Sequence, residues 1–128
     1  MEFRTFERRD LSDVIRLCEA EGWESYVADP ERTYCALSAP GVVTVVAAEE
    51  GGVVGFAQLL TDGAIRAYLA NMAVAAGKRR SGIGRRLIQE ALSRSNLAYI
   101  DLLSTDGADA FYERFPHRRF PGYRLYPK

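Results

Sequence analysis

Val74-Ala75-Ala76-Gly77-Lys78-Arg79-Arg80-Ser81-Gly82-Ile83-Gly84-Arg85-Arg86-Leu87 runs from an apolar stretch through a basic, glycine-containing loop into an amphipathic pattern. A strand end, a loop and a helix start in that order suit an anion. The first four amides of a helix lack intrahelical partners, and the dipole adds about half a positive charge there. Gly82 and Gly84 carry no side chain to block a phosphate. Lys78, Arg79, Arg80, Arg85 and Arg86 lie between Gly77 and Gln89 with no carboxylate among them, a segregation that favours a polyanionic ligand. A Walker loop needs Gly-Lys followed by Ser or Thr at its end, and a dinucleotide fingerprint needs three spaced glycines; the segment has neither. A solvated basic helix opened by a tight glycine turn is the bland alternative.

The rest of the chain bounds what such a ligand could serve. At 128 residues the expectation is one domain, residues 1–128, around a single core. A composition of 48% hydrophobic and 27% charged residues argues against disorder and against a disulfide-dense miniature. Lys plus Arg and Asp plus Glu balance at 17 each, so the surface as a whole is no trap for nucleic acid or an anionic membrane, and anion recognition must be local. The arginine patch also lacks the interleaved aromatics of a single-strand nucleic-acid platform. Cys18 and Cys35 have the spacing of neither a metal site nor a disulfide framework and read as reduced packing residues, so no metal is expected. Residues 1–10 are charged throughout and lack the apolar core of a signal peptide, and the longest apolar stretch, residues 41–48, is too short to span a bilayer; the expected compartment is the cytoplasm.

Working outward from the loop, residues 2–6 alternate as a short strand, and Asp10 precedes Leu11, Val14, Ile15 and Cys18 as the cap of an amphipathic helix ending near Gly22. Asp29-Pro30 opens a second helix to about Ser38. Residues 42–48 and 53–60 form a hairpin across Glu49-Glu50-Gly51-Gly52, and Thr61-Asp62-Gly63 turns into a third strand of an antiparallel meander, residues 64–74. In that strand Arg66 and Asn71 cannot share a face of regular pleat. Either a bulge lies between them or both faces of a central strand are covered. Ile83, Leu87, Ile88, Ala91 and Leu92 make one face of the next helix, residues 97–103 a strand parallel to 64–74, and residues 106–114 a short helix. The tail from Phe115 reads as a last pair of short edge strands around Pro121-Gly122.

Arg79-Arg80-Ser81-Gly82-Ile83-Gly84 resembles the acyl-CoA signature Q/R-x-x-G-x-G/A of the GNAT N-acetyltransferase superfamily, and Val74 stands where that family's strand ends V-x-P, with Ala76 in the proline position. Ala108-x-x-Phe111-Tyr112-Glu113 is similar to the family's A-x-x-F-Y-E, and the two motifs cover residues 53–115. The resemblance implies an α/β (α+β) fold: a mixed, largely antiparallel central sheet flanked by about four helices, whose fourth and fifth strands splay to leave a slot for pantetheine. It implies acetyl-CoA as cofactor. Backbone groups of Met72, Ala73 and Val74 would meet the pantetheine arm and acetyl carbonyl, and the amides of Arg79, Arg80, Ser81, Gly82, Ile83, Gly84 and Arg85 the pyrophosphate. Thr105 occupies the position of an asparagine that often touches pantetheine, and Ala108 opens the second motif. Pro116-His117 replaces a common Gly-Phe, and the first forty residues, where such folds build the acceptor site, match no family motif.

Acetyl transfer from a thioester to an amine needs a neutral nucleophile, an oxyanion donor and a proton for the leaving thiolate. By its match to the family position, Tyr112 is the candidate acid; as an ordinary helix tyrosine it would pack by its ring. No carboxylate lies in residues 64–74, so Glu24 and Asp62, with Glu49 behind them, are base candidates by position, and each also reads as a solvated loop charge. His117 is an imidazole, a usual general base, but it sits in the tail. Trp23 and Tyr26 either line an aromatic acceptor pocket or cover the core. The implied activity is acetyl transfer from acetyl-CoA to a primary amine of a small molecule or aminoacyl group by direct attack, with a non-catalytic acyl-CoA binding module as the alternative. The expected partners are acetyl-CoA and a small amine, with a homodimer open and neither nucleic acid nor membrane involved.

Overall fold

Val45, Val46 and Ala47 are consecutive and fully buried, as a strand is when helices cover both of its faces. They belong to a five-stranded sheet, described with the rest of residues 1–128 in a computed structural model. Its strands are β1 (Glu2–Thr5), β2 (Val42–Glu49), β3 (Gly52–Thr61), β4 (Ala67–Val74) and β5 (Asp101–Leu102), in sheet order β1-β2-β3-β4-β5. All neighbours are antiparallel except β4 and β5, which are parallel. Three helices lie on one face: α1 (Leu11–Glu21), α2 (Glu24–Val27) and α3 (Pro30–Ser38). Their core holds Val14, Leu17, Cys18, Leu37, Val46, Phe56 and Ala73. On the other face α4 (Ile83–Ser95) buries Ile83, Leu87, Ile88 and Ala91 against Val45, Ala47, Ala57, Leu59 and Leu69. α5 (Asp109–Tyr112) adds Phe111 and Tyr112 to that side.

The helix signals act locally as expected at Gly22, which ends α1 at φ +78°, and at Asp29, whose side chain accepts the Arg32 amide at 3.2 Å. Asp10 behaves differently. Its carboxylate makes no cap bond to α1; it accepts the Glu7 amide at 2.8 Å and pairs with both terminal nitrogens of Arg4 at 2.7 and 2.8 Å. The helix is preceded by a 3-10 turn, Arg8–Asp10, which brings the carboxylate under β1.

The bulge is present. Gln58 pairs with Asn71 and Leu59 with Leu69, so Ala70 is the extra residue on β4. Without it Leu69 and Asn71, two apart, would share a face. With it Leu69 enters the α4 core and Asn71 faces α1–α3. The same irregularity limits β5, whose pairing with β4 covers only Tyr68↔Asp101 and Leu69↔Leu102; a bulge ends a ladder. The expected strand 97–103 therefore shrinks to two residues, and the edge of β4 from Ala70 to Val74 has no strand beside it.

Other expectations are corrected. Arg66 lies outside β4 in a turn that Asp62 caps. α2 is an additional single-turn helix, which brings the α-helices to five. The tail has no strands: Pro116, Pro121 and Pro127 remove amide donors and β5 offers a two-residue edge, so Phe120, Tyr123, Leu125 and Tyr126 stay exposed. Cys18 is a buried packing residue, whereas Cys35 is exposed on α3.

Candidate functional site

The loop between β4 and α4 turns on two left-handed residues, Arg80 at φ +64° and Gly82 at φ +85°. No atom lies within 4 Å of where a Gly82 Cβ would sit, so the site above it is open. Gly84 has another reason to be glycine: a Cβ there would meet the Phe111 ring at 3.1 Å, with the Met72 methyl at 3.6 Å. That contact joins α4, α5 and β4. None of the amides of residues 79–85 donates to a protein acceptor; the Lys78 amide is taken by the Ala75 carbonyl and the Arg86 amide by that of Gly82. A row of free amides at a helix start is an anion cradle.

Nearby carboxylates thin out the cations. Lys78 pairs with Glu49 at 2.8 Å, Arg79 with Glu21 at 3.4 Å and Arg86 with Glu90 at 3.1 Å. Arg80 and Arg85 face no carboxylate within 4.0 Å, and Arg85 lies over the Phe115 ring at 4.2 Å. A cavity of about 330 Å³ opens against the loop between Phe3, Glu49, Ser81, Gly82 and Arg86.

The edge of β4 supplies the second part. The Ala75 amide donates to the Val54 carbonyl at 2.8 Å, so two residues back Ala73 and Phe56 form the next hydrogen-bonded pair of the ladder. Met72 and Val74 then turn their backbone groups to the unpaired edge, where Arg79 Nε reaches the Val74 carbonyl at 3.2 Å. Tyr112 approaches this region from α5. Its ring meets Phe111 edge-on at 5.0 Å between centroids. Burial raises its hydroxyl above the ordinary tyrosine value. That hydroxyl has no protein partner, yet the buried side-chain polar atom left unpartnered is Arg4 Nε alone, so the Tyr112 oxygen is reachable from outside.

On the α1–α3 face Trp23 packs edge-on against Phe56 and tilts against Tyr26. The Tyr26 hydroxyl donates to Gln58 Oε1 at 2.7 Å and accepts from Asn71 Nδ2. Burial raises its pKa also. Sequence reasoning passed over Gln58 and took Asn71 only as a polar position in the strand, although Gln58 interrupts an otherwise apolar strand and is 3% exposed.

The base candidates scatter. Asp62 accepts the amides of Ala64, Ile65 and Arg66 at 2.8, 2.7 and 3.1 Å, and these bonds hold its carboxyl below the usual range. It lies at the Ala67 end of β4, a strand length of roughly 20 Å from Val74. An open depression of about 610 Å³ there is edged by Leu60, Arg66, Tyr68 and Asp101. Glu49 is held by Lys78. Glu24 is exposed at the first turn of α2. His117 Nδ1 contacts the Phe115 carbonyl at 2.8 Å in the exposed tail. Thr105 is exposed, and its carbonyl accepts the Ala108 amide at 3.0 Å just ahead of α5.

Residues 40–115 match the family model of the acetyltransferase (GNAT) domain. Among solved structures the chain is similar to a GNAT-family acetyltransferase from Streptococcus pneumoniae, at TM-score 0.77 and 24% identity over 99% of this chain and 98% of that one. It is similar to an acetyltransferase from Trypanosoma brucei, at TM-score 0.74 and 23% identity over 99% of each. It also resembles aminoglycoside 6'-N-acetyltransferase from Acinetobacter haemolyticus, at TM-score 0.77 and 13% identity over 100% and 98%. At these identities the likeness is one of fold. No curated protein matches the chain in sequence. No group of three or more His, Cys, Asp or Glu is placed to hold a metal ion, and no helix is long and apolar enough to cross a membrane.

Proposed function

The chain belongs to the GNAT acetyltransferase family, and on that premise we propose that it moves an acetyl group from acetyl-CoA to a primary amine of a small molecule or aminoacyl group by direct attack. The observation that carries this reading is the row of free amides over residues 79–85, beside an unpaired edge of β4. Those amides, with Arg80 and Arg85, would hold the pyrophosphate. The outward backbone groups of Met72 and Val74 would align the pantetheine arm and acetyl carbonyl, with Ala73 locked to β3 between them and Thr105 and Ala108 closing the far side. Bound acetyl-CoA supplies the activated thioester carbonyl.

Tyr112 is assigned the proton for the departing sulfur. Its raised pKa keeps the hydroxyl protonated at neutral pH, and the oxygen is not spent on another partner. The thiols support direct attack: burial, and then Glu21, push Cys18 up to about 12, and Cys35 is exposed on α3. Among the carboxylates weighed as bases, Glu24 beside Trp23 keeps neither an ion pair nor a cap bond, and it is assigned proton removal through solvent.

Thiol release from acetyl-CoA, measured with a panel of primary amines alongside thermal stability with CoA, tests the reading. Stabilisation by CoA together with thiol release for at least one amine is expected. Stabilisation with no release for any amine would make the protein an acyl-CoA binding module. Absence of stabilisation would remove the site altogether.

A further inference from the structure

The strongest unassigned feature is the hydrogen-bond cluster under the acceptor side of β4, because its donors and acceptors can be placed in only one way. It starts at the Ala36 carbonyl, which can only accept. Gln58 Nε2 donates to it at 3.3 Å, which fixes the Gln58 amide and turns Oε1 toward its two other neighbours. The Tyr26 hydroxyl donates to that oxygen at 2.7 Å, and Asn71 Nδ2 donates to it at 3.2 Å and to the Tyr26 oxygen as well. The nitrogen of Asn71 is thereby committed inward. Its Oδ1 must point the other way.

That oxygen receives no donor from the protein, and it is not among the buried unpartnered atoms, of which Arg4 Nε is the one. It is an oriented acceptor open to solvent. The bulge at Ala70 places it on the α1–α3 face, while the next residue, Met72, presents its backbone groups to the open edge of β4. Trp23 and Tyr26 flank the same face.

We propose that Asn71 Oδ1 receives an N–H of the acceptor amine, orienting the nitrogen toward the β4 edge. The inference rests on the acetyl-transfer reading and deepens it: the site selects a ligand carrying a hydrogen on nitrogen. A side-chain amide oxygen takes no proton at neutral pH, so Asn71 is a positioning residue, and the amine's proton leaves by another route. Gln58 and Tyr26 act through Asn71 by holding its orientation.

The test uses the CoA-loaded protein and phenethylamine as probe, with its N,N,N-trimethylammonium derivative, which carries no hydrogen on nitrogen, as control. The side-chain NH₂ resonances of Asn71 are expected to shift on titration with phenethylamine and to stay in place with the control. In steady-state assays Asn71→Ala should raise the KM of the amine about tenfold, one hydrogen bond's worth, with the KM of acetyl-CoA unchanged. Tyr26→Phe leaves Gln58 Oε1 as acceptor for the Asn71 NH₂ and should therefore raise the amine KM at most about threefold. A merely structural network would lose as much through Tyr26→Phe as through Asn71→Ala. Resonances shifted without thiol release would sink acetyl transfer and leave the amine site standing. Resonances unmoved by the probe, whether or not thiol is released, or a Tyr26→Phe variant as impaired as Asn71→Ala, would overturn the proposal.

Discussion

The two faces of the sheet are built from different material. On the α4–α5 face the site is backbone: amides left free by a helix start, and strand groups left free because β5 stops early. On the α1–α3 face it is side chain: Tyr26, Gln58 and Asn71 close a network in which one oxygen remains to spare. The difference matters for how each tolerates change. A backbone cradle survives most substitutions that keep the local conformation, whereas a side-chain network depends on three elements meeting at hydrogen-bond distance.

The comparison breaks most visibly at Gly82. CoA at a hundred times its Kd adds about 2.7 kcal/mol of stability, and Gly82→Asp is expected to remove all of it, as read by thermal unfolding with and without CoA. Asp tolerates positive φ better than most residues, so the fold should persist. A cofactor-induced rise in Tm that survives in this variant would place the anion elsewhere.

Next in size is the support under the α1–α3 face. The Asp10 side chain is 4% exposed and its Arg4 partner 18%. Burial alone would raise the Asp10 carboxyl, but Arg4 and the Glu7 amide outweigh it and hold it below the ordinary carboxylate range. A lowered folded pKa contributes stability above the unfolded value and loses it as pH falls through the folded one. Asp10→Asn should therefore cost about 2 kcal/mol at neutral pH, because it removes the short charged bonds to Arg4 and leaves that guanidinium only its longer ion pairs to Glu2 at 3.6 Å and Glu7 at 3.8 Å, and progressively less as the pH drops below about 4. A cost that does not change with pH between 7 and 3 would mean that the charge is not what holds this corner.

Tyr112→Phe sharpens the cofactor face. The ring stays on Phe111 and only the hydroxyl goes, so single-turnover acetylation should slow about a hundredfold while CoA affinity barely moves. An unchanged single-turnover rate would leave Tyr112 as packing. The smallest effects belong to the thiols. Cys18→Ala should cost about 1 kcal/mol as a buried truncation and Cys35→Ala close to nothing, with turnover kept in both; a cysteine found acetylated by mass spectrometry would end the direct-attack reading.

How much could be read in advance follows the same division. Gly82, the loop cations and the helix start are consecutive in sequence, so the glycine turn and its row of free amides were legible there, and so were the meander and the parallel β4–β5 pair; the bulge was one of two readings, and it falls at Ala70 with Arg66 outside the strand. Gly84 was read too simply as clearance for phosphate, because its contact with Phe111 lies in another helix. The charge count of the loop overstated its field, since Glu21, Glu49 and Glu90 approach from α1, β2 and the next turn of α4. Asp62 looked like a candidate base and turned out to hold its own loop.

Local chemistry, then, determined from the sequence alone where most strands and helices run and which helix start leaves its amides free, because caps, turn glycines and amide rows are properties of adjacent residues. Tertiary structure decided the direction of the Asn71 oxygen, the short reach of β5 and the strandless tail. The Asn71 oxygen is turned by groups from α2, α3 and β3, and β5 and the tail pair only as far as the β4 bulge leaves them an edge, so no short window of sequence contains the partners that decide them.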